Sequence, residues 1–325
     1  TVKPGNLSLS LIPVKAADVV LRTAGRQRLS ILIYHSVLPR SDITRPGDPI
    51  AEQFDWHMAL VARHFNALSL ADALQLMDEG KLPDRAVCVT FDDGYADNAE
   101  VALPIMRKHG IPMTVFVSTA FLDGGRMWND TILEAVRSSA GECVDLRHLG
   151  LGVLPLGDQT SRKDVAHALL GKIKHLPFEQ RDQAVEAVAK GAGQLPQDLM
   201  LSSGQLRELA RNGVEIGAHT HSHPILSKLP EQAAQREIAQ GKQALEEILG
   251  HRVRFFAYPN GKPGSDFADT HRQMVHDLGF EAAFTTHWGV SEKGTDRWQM
   301  PRFTPWDNSS WRFALRLLLN QRTPV

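Results

Sequence analysis

The chain has 325 residues, 42% hydrophobic and 22% charged, enough apolar material for one large domain or two average ones. A formal net charge of -1 provides no long-range field to recruit nucleic acid or an anionic membrane surface, and no stretch approaches the roughly 20 consecutive apolar residues of a membrane span. Cys88 and Cys143 are too few for a disulfide framework and are expected to be buried or half-buried free thiols, while Thr1 in place of Met is taken as initiator removal and hence as a cytoplasmic expectation.

Residues 1–28 are treated as an N-terminal extension and 29–320 as the domain. Strand 29–34 opens it, followed by helices over 54–65 and 70–79, strand 86–91, helix 98–109 and strand 113–117. Between about 121 and 201 the alternation breaks. Helical spacing at 130–138, 162–173 and 178–192, with a Gly/Leu/Pro-rich stretch at 149–157, predicts a helical insertion above the sheet, where it would wall a groove, contact another copy or act as a passive cap. Helix 203–211, strand 214–218, helix 231–249, strand 253–258, helix 267–278 and strands 281–285 and 299–304 complete the order. Alternating strands and helices require crossover connections, so the expected fold is α/β: a parallel sheet, open or closed into a barrel, with chemistry at the C-terminal strand ends.

Four polar clusters fall at such ends: Tyr34-His35-Ser36, Asp92-Asp93-Gly94, His219-Thr220-His221-Ser222-His223 and Tyr258-Pro259-Asn260-Gly261. Two adjacent carboxylates about 4 Å apart repel by roughly 4 kcal/mol at an effective dielectric near 20. A divalent cation removes that conflict: one carboxylate binds the ion and the other stays ionised as a general base. Taken alone, the acidic pair would equally suit a helix N-cap. Three histidines within five residues supply the neutral imidazoles that zinc and similar ions prefer, and one aspartate with two histidines leaves a coordination position open for water. That is hydrolytic chemistry on an amide or ester.

Thr90-Phe91-Asp92-Asp93-Gly94 followed by His219-Thr220-X-X-His223 resembles the polysaccharide deacetylase (NodB-homology) family. Ile31 to His35, Phe256 to Gly261, Phe284 to Thr286 and Met300-Pro301-Arg302 are similar to its exopolysaccharide and poly-N-acetylglucosamine branch, so that the likeness covers about 29–120 and 200–305. The resemblance implies a distorted (β/α) barrel of about seven parallel strands that removes N-acetyl groups from amino-sugar units of a carbohydrate. It implies Asp93, His219 and His223 as ligands of a divalent metal, zinc first, with cobalt, nickel or iron also suited. It implies Asp92 as base and the Tyr95 backbone N–H as oxyanion donor. His221 is then a structural or supporting residue.

The family's Arg-Pro-Pro-Tyr is replaced by Phe256-Ala257-Tyr258-Pro259, which makes Arg302 the candidate to orient the base. The late Leu-X-X-His motif is not evident. His35, ahead of His287, is therefore the candidate general acid. Tyr258, Asn260 and Trp288 are candidate substrate contacts, and Trp128, Trp298 and Trp306 lie in segments expected near the pocket. Removal of a formyl or O-acetyl group, opening of a cyclic amide, or carbohydrate binding without catalysis are the alternative readings.

Overall fold

The computed structural model describes residues 27–147, 150–174, 176–305, 307 and 309–321, so most of the expected N-terminal extension and Trp306 lie outside the described residues. In chain order it contains β1 (Leu29–Tyr34), α1 (Ala51–His64), β2 (Asn66–Ala67), α2 (Leu70–Asp78) and β3 (Ala86–Phe91). A π-helical turn (Asn98–Ala102) runs into α3 (Leu103–Lys108), and β4 (Met113–Val117) follows. The next segment holds α4 (Trp128–Ser138), β5 (Cys143–Leu146), β6 (Gly152–Pro155), α5 (Gln159–Ile173) and α6 (Phe178–Ala189). Then come α7 (Ser203–Arg211), β7 (Glu215–Ala218), α8 (Glu231–Leu249), β8 (Phe255–Ala257), α9 (Asp269–Asp277), β9 (Ala282–Phe284) and α10 (Ser310–Asn320).

Seven strands form one parallel sheet, ordered β1-β3-β4-β7-β8-β9, with β2 paired to the start of β3. The predicted strand over 299–304 is not a continuous strand, because Pro301 cannot donate to a ladder. Its backbone nevertheless joins both sheet edges. Met300 N donates to Ala283 O at 2.9 Å and Thr285 N to Met300 O at 2.9 Å, while Phe303 N donates to Ile31 O at 2.7 Å and Ile33 N to Phe303 O at 2.9 Å. The curled sheet therefore meets itself through residues 300–303, giving the distorted (β/α) barrel expected from the sequence.

Side chains alternate between the two faces of each strand. Leu29 and Ile31, Ala86 and Cys88, Phe116, Phe255 and Ala257, and Ala282 and Phe284 form the inner core together with Met300 and residues of α2. Leu32 and Tyr34, Val87, Val89 and Phe91, Val115 and Val117, and Phe256 and Tyr258 form the outer core under the helices. Full burial of each large apolar side chain contributes about 1.5–3 kcal/mol. The interior is packed so tightly that a Cβ on Gly217 would stand 2.4 Å from the Phe116 ring.

Several expectations change. The insertion is not helical throughout, since its Gly/Leu/Pro-rich stretch carries β6, which pairs antiparallel with β5, and α10 is an element beyond those expected. Cys88 is buried as expected, whereas Cys143 is exposed on the β5–β6 hairpin, because the alternation that turns Val144 and Leu146 onto the core of this segment turns Cys143 and Asp145 outward. The segment between β4 and α7 has its own core, in which Ile132, Leu133, Val136, Leu146, Leu169, Ile173 and Val188 meet.

Candidate metal centre and active site

At the C-terminal end of β3 the alternation that sends Phe91 outward sends Thr90 and Asp92 inward. Asp93 and Gly94 both have positive φ, 74° and 87°, which reverses the chain so that two consecutive carboxylates face different partners. Asp92 is buried and receives both terminal nitrogens of Arg302, NH1 to Oδ1 and NH2 to Oδ2, each at 2.7 Å. Arg302 is itself fully buried and held by donation from Nε to Thr285 O at 2.9 Å and from NH1 to Thr90 Oγ1 at 3.3 Å. Burial alone would raise the Asp92 pKa, but the adjacent Arg302 charge, then His219 and the Arg302 hydrogen bonds, hold it below the ordinary carboxylate value. Asp92 is thus a buried carboxylate held in its ionised form.

Asp93 turns toward the histidine loop after β7. Its Oδ1 lies 3.4 Å from His219 Nε2 and 3.3 Å from His223 Nε2, and is buried without a hydrogen-bond partner among the described residues. The three donor atoms all lie within 4.8 Å of one another. Two ligands of one tetrahedral ion, each about 2.1 Å from it, stand about 3.4 Å apart, so the two close separations are those of a zinc-like site. The Nδ1–H of His219 donates to Ala257 O at 2.7 Å, which leaves its Nε2 lone pair facing Asp93. Burial depresses the His223 pKa to about 4 against the pull of Asp93, so that ring is neutral, the form a metal requires. At His219 burial lowers the pKa but Asp92 and Asp93 together raise it, a field that favours a positive charge there. An orphaned buried carboxylate oxygen, two imidazole nitrogens and this field fit a divalent cation.

The histidine loop is held from behind. Thr220 and His223 adopt positive φ, 66° and 56°, and Thr220 Oγ1 accepts from His223 N at 3.1 Å. Glu237 on α8 accepts from His221 N at 3.1 Å, Ser222 N at 2.7 Å and Ser222 Oγ at 2.7 Å. One turn later Gly241 lets α8 approach so closely that a Cβ would stand 2.6 Å from Thr220 C and O. Gly241→Ala must push the helix or the loop aside; a stability loss of about 1–3 kcal/mol is expected together with weaker metal retention, checked by denaturant unfolding and metal analysis. His221 lies outside the ligand set, its Nδ1 2.9 Å from Thr119 Oγ1.

Above these groups opens a cleft of about 440 Å³, lined by His35, Asp93, Tyr95, His223 and Asn260 from the barrel and by Trp128, Asp130, Leu170, Lys174 and Arg181 from the segment after β4, with Arg45 and Asp48 from the loop after β1. Leu201 N to Gly94 O and Ala96 N to Leu199 O, both 2.9 Å, flank the Tyr95–Met200 pair, so the Tyr95 N–H is not part of that ladder and turns away from it.

Two sequence candidates for substrate contact belong elsewhere. Tyr258 alternates outward, is buried in the outer core, stacks on Phe267 at 3.8 Å and donates its hydroxyl to Trp298 O at 3.0 Å. Trp288 is exposed, packs against Phe303 at 5.2 Å and does not line the cleft; neither does His287. Trp298 packs against His276. Sequence reading missed Glu237, Arg45 and Asp130. The spacing of Glu237 and Gly241 on one helix face was a usable signal for the first; the other two stand in no motif.

A family model for polysaccharide deacetylase matches residues 79–142 and 178–283, more than half of the chain. YxkH of Bacillus subtilis, provisionally described as a polysaccharide deacetylase, is 21% identical over 284 residues, covering 87% of this chain and 73% of its own length. The deacetylase PplD of Streptococcus pyogenes, solved in complex with acetate, superposes with a TM-score of 0.59 at 18% identity, over 90% of this chain and 98% of that one. IcaB from Ammonifex degensii does so with a TM-score of 0.59 at 21% identity, over 91% and 97%. These structural likenesses establish a shared fold.

Proposed function

The chain belongs to the polysaccharide deacetylase family, and we propose that it hydrolyses the N-acetyl amide of an amino-sugar unit, such as N-acetylglucosamine in a polysaccharide or glycan intermediate, with a divalent metal as cofactor. The observation that carries this reading is the buried, unpartnered Asp93 Oδ1 set 3.3–3.4 Å from two imidazole nitrogens, with an ionised second carboxylate alongside.

A divalent ion on Asp93, His219 and His223, zinc being the first choice for this donor set, would supply Lewis acidity to the acetyl carbonyl and to the attacking water. Asp92 accepts the proton of that water; Arg302 keeps it ionised and fixes its orientation by a two-point contact. The Tyr95 N–H meets the charge that develops on the carbonyl oxygen, an interaction that strengthens only as the reaction proceeds. His35, at the end of β1 and on the cleft wall, protonates the departing nitrogen; of the two histidines considered for this role it alone borders the cleft. Carbon–nitrogen cleavage then yields acetate and a free amine.

Acetate release from a panel of N-acetylated amino sugars and their oligomers tests the proposal. Activity is expected to disappear with a chelator and return with zinc. Metal-replete protein that releases acetate from no member of the panel, yet binds the glycans, would assign the chain to non-catalytic recognition.

A further inference from the structure

Asp130 lies in the first turn of α4, far in sequence from both motifs, yet its carboxylate reaches the catalytic turn. Its Oδ2 accepts the Tyr95 hydroxyl at 3.0 Å, and its Oδ1 accepts Arg45 NH2 at 2.7 Å. Asp130 and the Arg45 side chain are both buried, and the Arg45 guanidinium also stands over the Tyr95 ring at 5.7 Å. Met127 Sδ, 3.8 Å from the same hydroxyl, closes the other side. The ring of Tyr95 is thus gripped at its tip by a charge pair drawn from two separate segments, the loop after β1 and α4.

The backbone of Tyr95 is gripped as well, by the two hydrogen bonds to Leu199 and Leu201 that flank it. With both ends of the residue fixed, the direction of its N–H is fixed. Stability alone does not call for such a device, since a buried ion pair commonly does no better than well-packed apolar side chains of the same volume. Orientation does call for it, because a donor contributes to the transition state only when aimed where charge develops, and a site held loosely by 1 Å loses most of that contribution.

We infer that Asp130 and Arg45 are positioning residues that lock Tyr95 through its phenol, so that the segment after β4 takes part in building the oxyanion site. The inference rests on the deacetylase reading for the role of the Tyr95 N–H, but the lock itself is a statement about geometry and can be tested apart from turnover.

Tyr95→Phe removes the hydroxyl and keeps the ring and the N–H. It is expected to lower kcat for acetate release about tenfold or more, with KM changed less than about threefold and metal content unchanged. Asp130→Ala should reproduce that pattern, and Asp130→Asn, whose amide oxygen still accepts from Tyr95, should recover part of the lost kcat. In parallel, hydrogen exchange at the Ala96 and Leu201 amides, whose bonds to Leu199 O and Gly94 O flank Tyr95, is expected to be faster in Tyr95→Phe and Asp130→Ala than in the parent protein. Wild-type kcat in both variants would overturn the inference. If the parent protein releases no acetate, the deacetylase reading falls by itself, and the exchange measurement then decides the lock: unchanged protection at Ala96 and Leu201 in both variants overturns it.

Discussion

Asp92→Asn is expected to lower kcat for acetate release by about a thousandfold while leaving bound metal at the parent stoichiometry, because a positioned general base contributes about 10²–10⁴. The substitution keeps the shape of the side chain and removes its capacity to take a proton, together with its charge and one of the two acceptors that face Arg302. Metal should stay, since the proposed ligands are Asp93, His219 and His223 and the Asp92 carboxylate is occupied by Arg302. Two companion measurements make the result interpretable. Elemental analysis separates loss of the base from loss of the ion. Circular dichroism separates both from unfolding, which matters because the variant leaves a buried guanidinium facing a neutral amide. Retention of more than about a tenth of kcat, in folded and metal-loaded protein, would remove Asp92 from the role of base.

How far the sequence disclosed this arrangement follows from which interactions are local. The strand runs 29–34, 86–91 and 113–117 are short apolar stretches with turn signals at both ends, and they appear in the structure with those bounds. The acidic turn and the histidine turn are each contiguous, so their chemistry was visible without knowing the fold. Arg302 was reached only as a replacement for a missing family arginine; its partner Asp92 lies 210 residues away, and the pairing exists because residues 300–303 bridge the two edges of the sheet. Tyr258 was misplaced through neglect of strand parity. Phe255 and Ala257 point inward, so the next residue must point outward, into the helices. The β5–β6 hairpin was hidden by glycine and proline, which dominate the very turns that make hairpins. Asp130 and Arg45 had no local signal: a buried aspartate on a helix is distinguished from a solvated one only by what surrounds it.

Replacing Arg302 by Met should cost about 3–5 kcal/mol of stability near neutral pH, read from the shift of the denaturant midpoint, because it leaves Asp92 as an uncompensated buried charge. The pH dependence gives the sharper result. In the parent protein Asp92 is pulled below its unfolded value of about 3.9, so its contribution to stability is present above that value and is lost as pH falls through the lower folded pKa. Without Arg302, burial, the largest influence on this carboxylate, prevails and the folded pKa rises. The stability gap between parent and variant should therefore be widest near neutrality and narrow on acidification. The base would also be protonated at higher pH, so the acid limb of kcat/KM should move upward. Arg302→Lys, which keeps the charge but forfeits the two-point contact and the bond to Thr285 O, should fall between the two. An unchanged acid limb in Arg302→Met, with the fold intact, would mean that the guanidinium does not govern the ionisation of Asp92 and that the pair is structural only.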